Sequence, residues 1–194
     1  MTRAKGRWTQ AGMREVATEE RAELGLGEHE PLDPYQLARQ HAIPIYTISE
    51  LLEHDLDPGT HEHFHQKSTG SWSAALIPFG TARVIVENDA HAEVRRRTNI
   101  AHEIGHYLLE HSFEDVILGE DHKRQFDKTQ EKQALFISGE LLIPERAARK
   151  AAFANWDNSR VAQAYNVSEQ FAQMRMMGAR VIAQRATTKY RGKV

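Results

Sequence analysis

Two histidines and a glutamate, His102, His106 and Glu103, have the residue types and spacing of a metal-dependent hydrolytic site. In a helix, residues four apart lie about one turn over one another, so both imidazoles can share one metal ion while Glu103 stands beside it. This H-E-x-x-H arrangement is the one that zinc peptidases use. Zinc there polarises a peptide carbonyl and lowers the pKa of its bound water toward about 7, and the Glu acts as general base. The segment therefore predicts metal-assisted peptide hydrolysis.

The same pattern occurs a second time, at residues 61–65, and the surrounding sequence separates the two matches. The later match lies within residues 91–110, where apolar side chains recur at helical spacing and predict a buried helix. The earlier match lies between the turn-forming residues 57–59 and 68–71, which favours a loop. In that loop His61, His63 and His65 can share one side of an extended segment and bind a second metal, although a solvated loop is the ordinary explanation.

A third ligand is predicted on the next helix, over residues 130–143. Glu131 is the first residue of a stripe along one face of this helix, and the other residues of the stripe are expected to face the core. A buried carboxylate needs a partner, and a zinc ion held by the two histidines supplies one. The stripe continues through Ala134, Leu135, Ser138 and Leu142. The alternative for Glu131 is an exposed carboxylate near a helix N-terminus.

Other candidates for the third ligand fit less well. A histidine six residues after His106 would complete a different zinc pattern, but Ser112 occupies that place. Glu120 lies in a charged segment predicted to be a loop, and Glu140 lies two residues away from the inward stripe. His111 and His122 flank the motif and can reach the cleft, whereas Tyr107 points about 100° away from His106 and is expected to pack.

The blocks 97–110 and 131–144 together resemble, without a gap, the two motif blocks of the ImmA/IrrE family of metallo-endopeptidases. This resemblance implies Zn²⁺ as cofactor, His102, His106 and Glu131 as metal ligands, and Glu103 as catalytic base. It also implies a protein substrate, a helix-turn-helix repressor of the phage or stress-response type. The chain departs from the family pattern at Thr98, Asn99 and Leu135, none of them a predicted ligand.

The expected fold is of the α+β class, with a small, mostly antiparallel sheet packed on a zincin-like helical core. Helices are predicted over 9–24 and 35–41, and strands over 42–48, 72–78 and 82–87. Pro44 cannot donate to a ladder, so its strand is expected at a sheet edge. We assign residues 1–150 to the peptidase domain and 151–194 to a C-terminal helical region with a basic tail.

The C-terminal region has two interpretations. Residues 159–181 have the pattern of a helix-turn-helix, and residues 159–194 hold seven Lys and Arg against one Glu, which allows weak DNA contact. The other interpretation is packing on the peptidase domain through an apolar set: Met174, Met176, Met177, Val181 and Ile182. The second functional hypothesis is accordingly a non-catalytic DNA- or repressor-binding regulator with a structural or silent zinc site.

Composition limits the remaining possibilities. With 194 residues and 40% hydrophobic content, the chain suits one domain, or one domain with a small appendage. It has no cysteine, so nitrogen and oxygen must hold any metal. The formal net charge of −2 argues against an overall nucleic-acid footprint, and no run of about 18 apolar residues predicts a membrane span. We expect a cytoplasmic protein.

Overall fold

The computed structural model describes residues 8–54, 57–111 and 128–191. Within these ranges nine α-helices accompany one three-stranded sheet, which agrees with the predicted α+β class. The elements in chain order are α1 (Gln10–Glu23), α2 (Pro34–Gln40), β1 (Ile45–Thr47), α3 (Ile48–Glu53), α4 (Pro58–Glu62), a π-helical turn (His63–Lys67), β2 (Ala74–Phe79), β3 (Ala82–Glu87), α5 (Glu93–Leu108), α6 (Lys128–Leu142), α7 (Glu145–Phe153), α8 (Asn158–Tyr165) and α9 (Glu169–Arg191).

The sheet has the strand order β1-β3-β2. Strands β2 and β3 pair antiparallel as a hairpin, whereas β1 pairs parallel with β3, so the sheet is mixed. Strand β1 lies at an edge, as the proline predicts, but it is shorter than expected. Ala42 has a left-handed φ of 53°, and Thr47 already forms a capping box with Glu50 that begins α3.

The prediction of a loop at residues 61–65 is wrong. Asp57 accepts a hydrogen bond from the amide of Thr60 at 2.8 Å, and Pro58 occupies the first helical turn, so the supposed turn signal begins a helix. The side chains of His61 and His65 therefore stack one helical turn apart, with ring centroids 4.8 Å apart. The extended arrangement required for a metal shared by alternate histidines does not form.

Helices α5 and α6 lie against each other at the centre of the molecule, and Gly105 sets their distance. A Cβ at this position would lie 2.8 Å from Cγ2 of Ile137 and 3.1 Å from the carbonyl oxygen of Ala134, both on α6. The missing side chain therefore permits a closer approach than any other residue would allow. On α6 itself, Ala134, Ser138 and Leu142 are buried as predicted, but Leu135 is 45% exposed. The buried face is centred on Ala134, Ile137 and Leu141 rather than on the predicted stripe, and Leu135 is turned by more than about 100° from that centre.

The buried core continues from α5 and α6 into α7, α8 and α9. The predicted division at residue 150 falls inside α7 and stays a prediction. Asn166 has a left-handed φ of 50° between α8 and α9, and Ser168 accepts a hydrogen bond from the amide of Phe171, which begins α9. The likeness of this pair to a helix-turn-helix also stays a prediction.

The apolar set on α9 divides between the core and the surface. Met176 is fully buried and Met174 packs against the core, but Met177, Val181 and Ile182 are exposed. Packing on the rest of the molecule therefore accounts for part of this set. Within the described residues, no helix combines the length and the apolar character needed to cross a membrane.

Candidate metal centre

Two helices supply three side chains that can hold one metal ion. His102 and His106 project from α5, and Glu131 projects from the first turn of α6. Nε2 of His102 lies 3.2 Å from Oε2 of Glu131 and 3.2 Å from Nε2 of His106, and Nε2 of His106 lies 3.3 Å from Oε1 of Glu131. The structure thus brings together the three predicted ligands.

These spacings fit a zinc ion. Tetrahedral zinc bound at about 2.0–2.1 Å by nitrogen and oxygen places neighbouring ligand atoms about 3.3 Å apart. The donor set of two imidazoles and one carboxylate leaves a fourth position open, which is typical of catalytic zinc. The side chain of His106 is 11% exposed and that of Glu131 is 35% exposed, so the group is buried on one side and open to solvent on the other.

Glu131 has the protonation state that a metal ligand requires. Its hydrogen bond with His102 lowers its pKa below the ordinary value, and the charges of His106, His102 and His111 act in the same direction, whereas burial acts against them. The carboxylate is therefore anionic at neutral pH.

Glu103 lies next to the histidines on α5 and reaches the sheet. Its Oε2 accepts a hydrogen bond from the backbone amide of Leu76 on β2 at 2.8 Å. The side chain is half-buried. This contact holds the carboxylate of Glu103 between α5 and the edge of β2.

Strand β2 is an edge strand of the sheet, and no other strand of the described residues pairs with its side next to Glu103. The amide of Ile85 donates to Pro44 on the β1 side, so the facing pair Leu76–Ile85 is a non-hydrogen-bonded pair of the β2–β3 ladder. Leu76 consequently directs its N–H and C=O away from β3, as do Ala74 and Pro78. Pro78 contributes a carbonyl to this edge but no N–H.

The other residues considered as ligands or as neighbours of the site differ in whether they reach the metal centre. His111 is buried and its Nδ1 lies 2.9 Å from Nδ1 of His106, so it reaches the centre behind the ligands. Tyr107 packs against the core with its ring 5.3 Å from that of His41, as predicted. Glu140 is buried in an ion pair with Arg175 at 2.9 Å, apart from the ligand group. His122 and Glu120 lie outside the described residues.

Two supporting networks were not predicted from the sequence. Arg97, at the start of the motif block, is buried and donates to the carbonyl oxygens of Leu32 and Asn166. One residue earlier, Arg96 donates to the buried carboxylate of Glu87 from Nη2 at 2.5 Å and from Nε at 3.1 Å. Both arginines lie on α5 upstream of His102. The run of arginines at residues 95–97 is the sequence feature that could have indicated these two networks.

A helix-borne H-E-x-x-H pair completed by a carboxylate from a second helix defines the class of H-E-x-x-H metallopeptidases. The family model for Peptidase M78, described as the IrrE N-terminal-like domain, matches residues 48–177, more than half of the chain. The chain therefore belongs to this metallopeptidase family, and the ImmA/IrrE resemblance of its motif blocks is confirmed. A search of curated proteins found no significant match.

Proposed function

We propose that this protein is a zinc-dependent endopeptidase that cleaves a regulatory protein, a transcriptional repressor of the phage or stress-response type. The main support is the 3.2–3.3 Å spacing of the three donor atoms of His102, His106 and Glu131. Zinc bound there would polarise the scissile carbonyl and acidify the attacking water. Glu103 would serve as general base toward that water and as proton donor to the leaving amine.

The outer edge of β2, where the amide of Leu76 donates to Glu103, is the proposed binding site for the substrate backbone. The carbonyls of Ala74, Leu76 and Pro78 point outward from this edge, and the edge lies beside Glu103. An extended peptide added here would be held by main-chain hydrogen bonds next to the base. Family membership supports a protein substrate, and the ImmA/IrrE resemblance supports a repressor.

The variant Glu103→Gln tests the catalytic role. The Gln side-chain oxygen can still accept the hydrogen bond from Leu76, so fold and metal content are expected to be unchanged. Cleavage of a co-expressed repressor is expected to fall at least about 100-fold, the usual contribution of a general base. His102→Ala is the companion variant and is expected to lose stoichiometric zinc.

The alternative function is a non-catalytic DNA- or repressor-binding regulator. It is favoured by the exposed basic side chains Arg185 and Lys189 on α9. Under this alternative, Glu103→Gln retains full biological activity, and Arg185→Gln with Lys189→Gln loses it. A wild-type protein without stoichiometric zinc, whose melting temperature does not rise when zinc is added, would contradict the peptidase proposal directly.

A further inference from the structure

The C-terminal end of α5, the helix that carries the H-E-x-x-H motif, places a third histidine, His111, directly behind His106. Glu110 adopts a left-handed φ of 52°, its amide donates to the carbonyl of Tyr107, and the amide of His111 donates to the carbonyl of His106. These two bonds form a Schellman motif, which sets the residue after the left-handed position over the residue five places before it. The side chain of His111 is thereby laid against that of His106.

The two imidazoles and one amide form a continuous hydrogen-bonded row. Nδ1 of His111 lies 2.9 Å from Nδ1 of His106, and Nε2 of His111 lies 3.0 Å from Oε1 of Gln133. His106 and His111 are both buried. Gln133 is on α6, two residues after Glu131, so the row joins the two helices that supply the ligands.

The direction of donation follows from the site that His106 faces. Nε2 of His106 points toward His102 and Glu131, so a metal ligand role requires its lone pair at Nε2 and its proton at Nδ1. Among the described residues, Nδ1 of His111 lies within hydrogen-bonding distance of that Nδ1–H, and donation to it places the His111 proton on Nε2, facing the Gln133 oxygen. Each bond in the row thus has one donor and one acceptor.

We propose that His111 and Gln133 are positioning residues that hold His106 in its Nδ1–H tautomer with its Nε2 aimed at the metal. The inference rests on the proposed function, because it assigns His106 as a ligand. Metal-binding histidines usually donate their second N–H to a carboxylate, a carbonyl or water. Here a second imidazole fills that place and connects His106 to an amide on the neighbouring helix.

The tautomer can be measured without metal. In ¹⁵N-labelled wild-type protein at pH 8, free of metal, we expect His106 to carry its proton on Nδ1. We also expect a scalar coupling between the Nδ1 nuclei of His106 and His111 across the hydrogen bond. An Nε2–H tautomer of His106 with no such coupling would overturn the proposal, whatever the zinc content of the protein.

Zinc affinity, measured by competition with a chelator, supplies the second readout. Gln133→Leu and His111→Leu are expected to weaken zinc binding about 10–100-fold, the usual effect of removing such a supporting group. His111→Asn is expected to lose less affinity than His111→Leu, since the Asn oxygen replaces Nδ1 as acceptor from His106 although the shorter side chain does not reach Gln133. Lys132→Leu, an exposed neighbour of Gln133, is the matched control and should change nothing.

These arms separate the proposal from its alternatives. Equal loss in His111→Asn and His111→Leu would show that His111 only fills space, and unchanged affinity in Gln133→Leu would exclude the relay to α6. If His111→Leu fails to fold, the half-buried Gln133 still provides the test. If wild-type protein and His102→Ala bind zinc equally poorly, the proposed function fails, and the tautomer of His106 decides the relay separately.

Discussion

His41 ties the first two helices together through a charged hydrogen bond. It follows α2, and its Nε2 lies 2.6 Å from Oε2 of Glu20 on α1. This bond raises the pKa of His41 above its ordinary value, against the opposing effect of burial, and the charge of Glu23 adds to the rise. A raised folded-state pKa stabilises the fold below the unfolded value of about 6.5, and this stabilisation is lost as the pH rises through the folded value.

His41→Gln is therefore expected to lower the free energy of unfolding more at pH 5.5 than at pH 8.5. A loss of about 1–2 kcal/mol at the lower pH is in the range for a hydrogen bond between charged groups. Denaturant titrations at both pH values, at one fixed zinc concentration, measure it. His29→Gln, at an exposed histidine, should have no effect at either pH. An equal loss at both pH values for His41→Gln would mean that its charge contributes nothing.

Residue types that carry chemistry were predictable, but their partners were not. The spacing of His102 and His106 within one helix predicted their convergence because helical geometry alone brings them together. Helical spacing also indicated Glu131, whereas the contact of His111 with Gln133 depends on a helix end and on a second helix. Contacts of that kind require the packing of the whole chain, which no local pattern encodes.

At the scale of helices, the metal centre depends on how closely α5 approaches α6. Gly105→Ala would place a methyl group 2.8 Å from Cγ2 of Ile137, so one helix must move. Overpacking of this kind costs about 1–3 kcal/mol, while replacing Gly by Ala within a helix gains about 1 kcal/mol. Gly178→Ala on α9, where a Cβ would meet nothing within 4 Å, isolates the gain.

We expect Gly105→Ala to be less stable than Gly178→Ala by about 1–3 kcal/mol in thermal or denaturant unfolding. We also expect its melting temperature to rise less on zinc addition, because a displaced α6 carries Glu131 away from the histidines. If both substitutions stabilise the protein equally, the two helices do not approach as closely as described.

Local signals predicted the starts of α1 and α2 but not that of α4, although the Asp-Pro dipeptide that begins α4 also begins α2. Thr9 and Asp33 cap α1 and α2 as predicted. Asp57 and Pro58 suggested a turn, but the same residues are also favourable at a helix N-terminus. The structure has a helix here, and tertiary contacts stabilise this part of the chain. One such contact is the hydrogen bond from Asn88 to the carbonyl of Phe64 at 2.9 Å.

At the scale of the molecule, Arg97 connects the motif helix to the C-terminal helices. Its buried guanidinium donates to the carbonyl of Asn166, between α8 and α9, at 3.0 Å, and to that of Leu32 at 2.7 Å. Arg97→Met would leave both carbonyls without this donor, at an expected cost of about 2–4 kcal/mol. The C-terminal helices and the metal centre should therefore lose stability together.

Hydrogen exchange measures this coupling. In Arg97→Met we expect faster exchange in α8, in α9 and in α5, whereas Arg95→Met, at an exposed neighbour, should leave all three unchanged. Faster exchange confined to α8 and α9 would indicate that the C-terminal helices form a unit independent of the motif helix.

The outer edge of β2 is short, and Pro78 deprives it of one N–H. An exposed strand edge can pair with a strand of another molecule and cause aggregation, and a proline on the edge commonly prevents this. For the same reason, Pro78 limits the number of main-chain hydrogen bonds that this edge can form with consecutive residues of a bound polypeptide. If the protein cleaves a polypeptide as proposed, we expect little preference for the amino acids around the scissile bond, so that recognition depends on contacts with the folded part of the target.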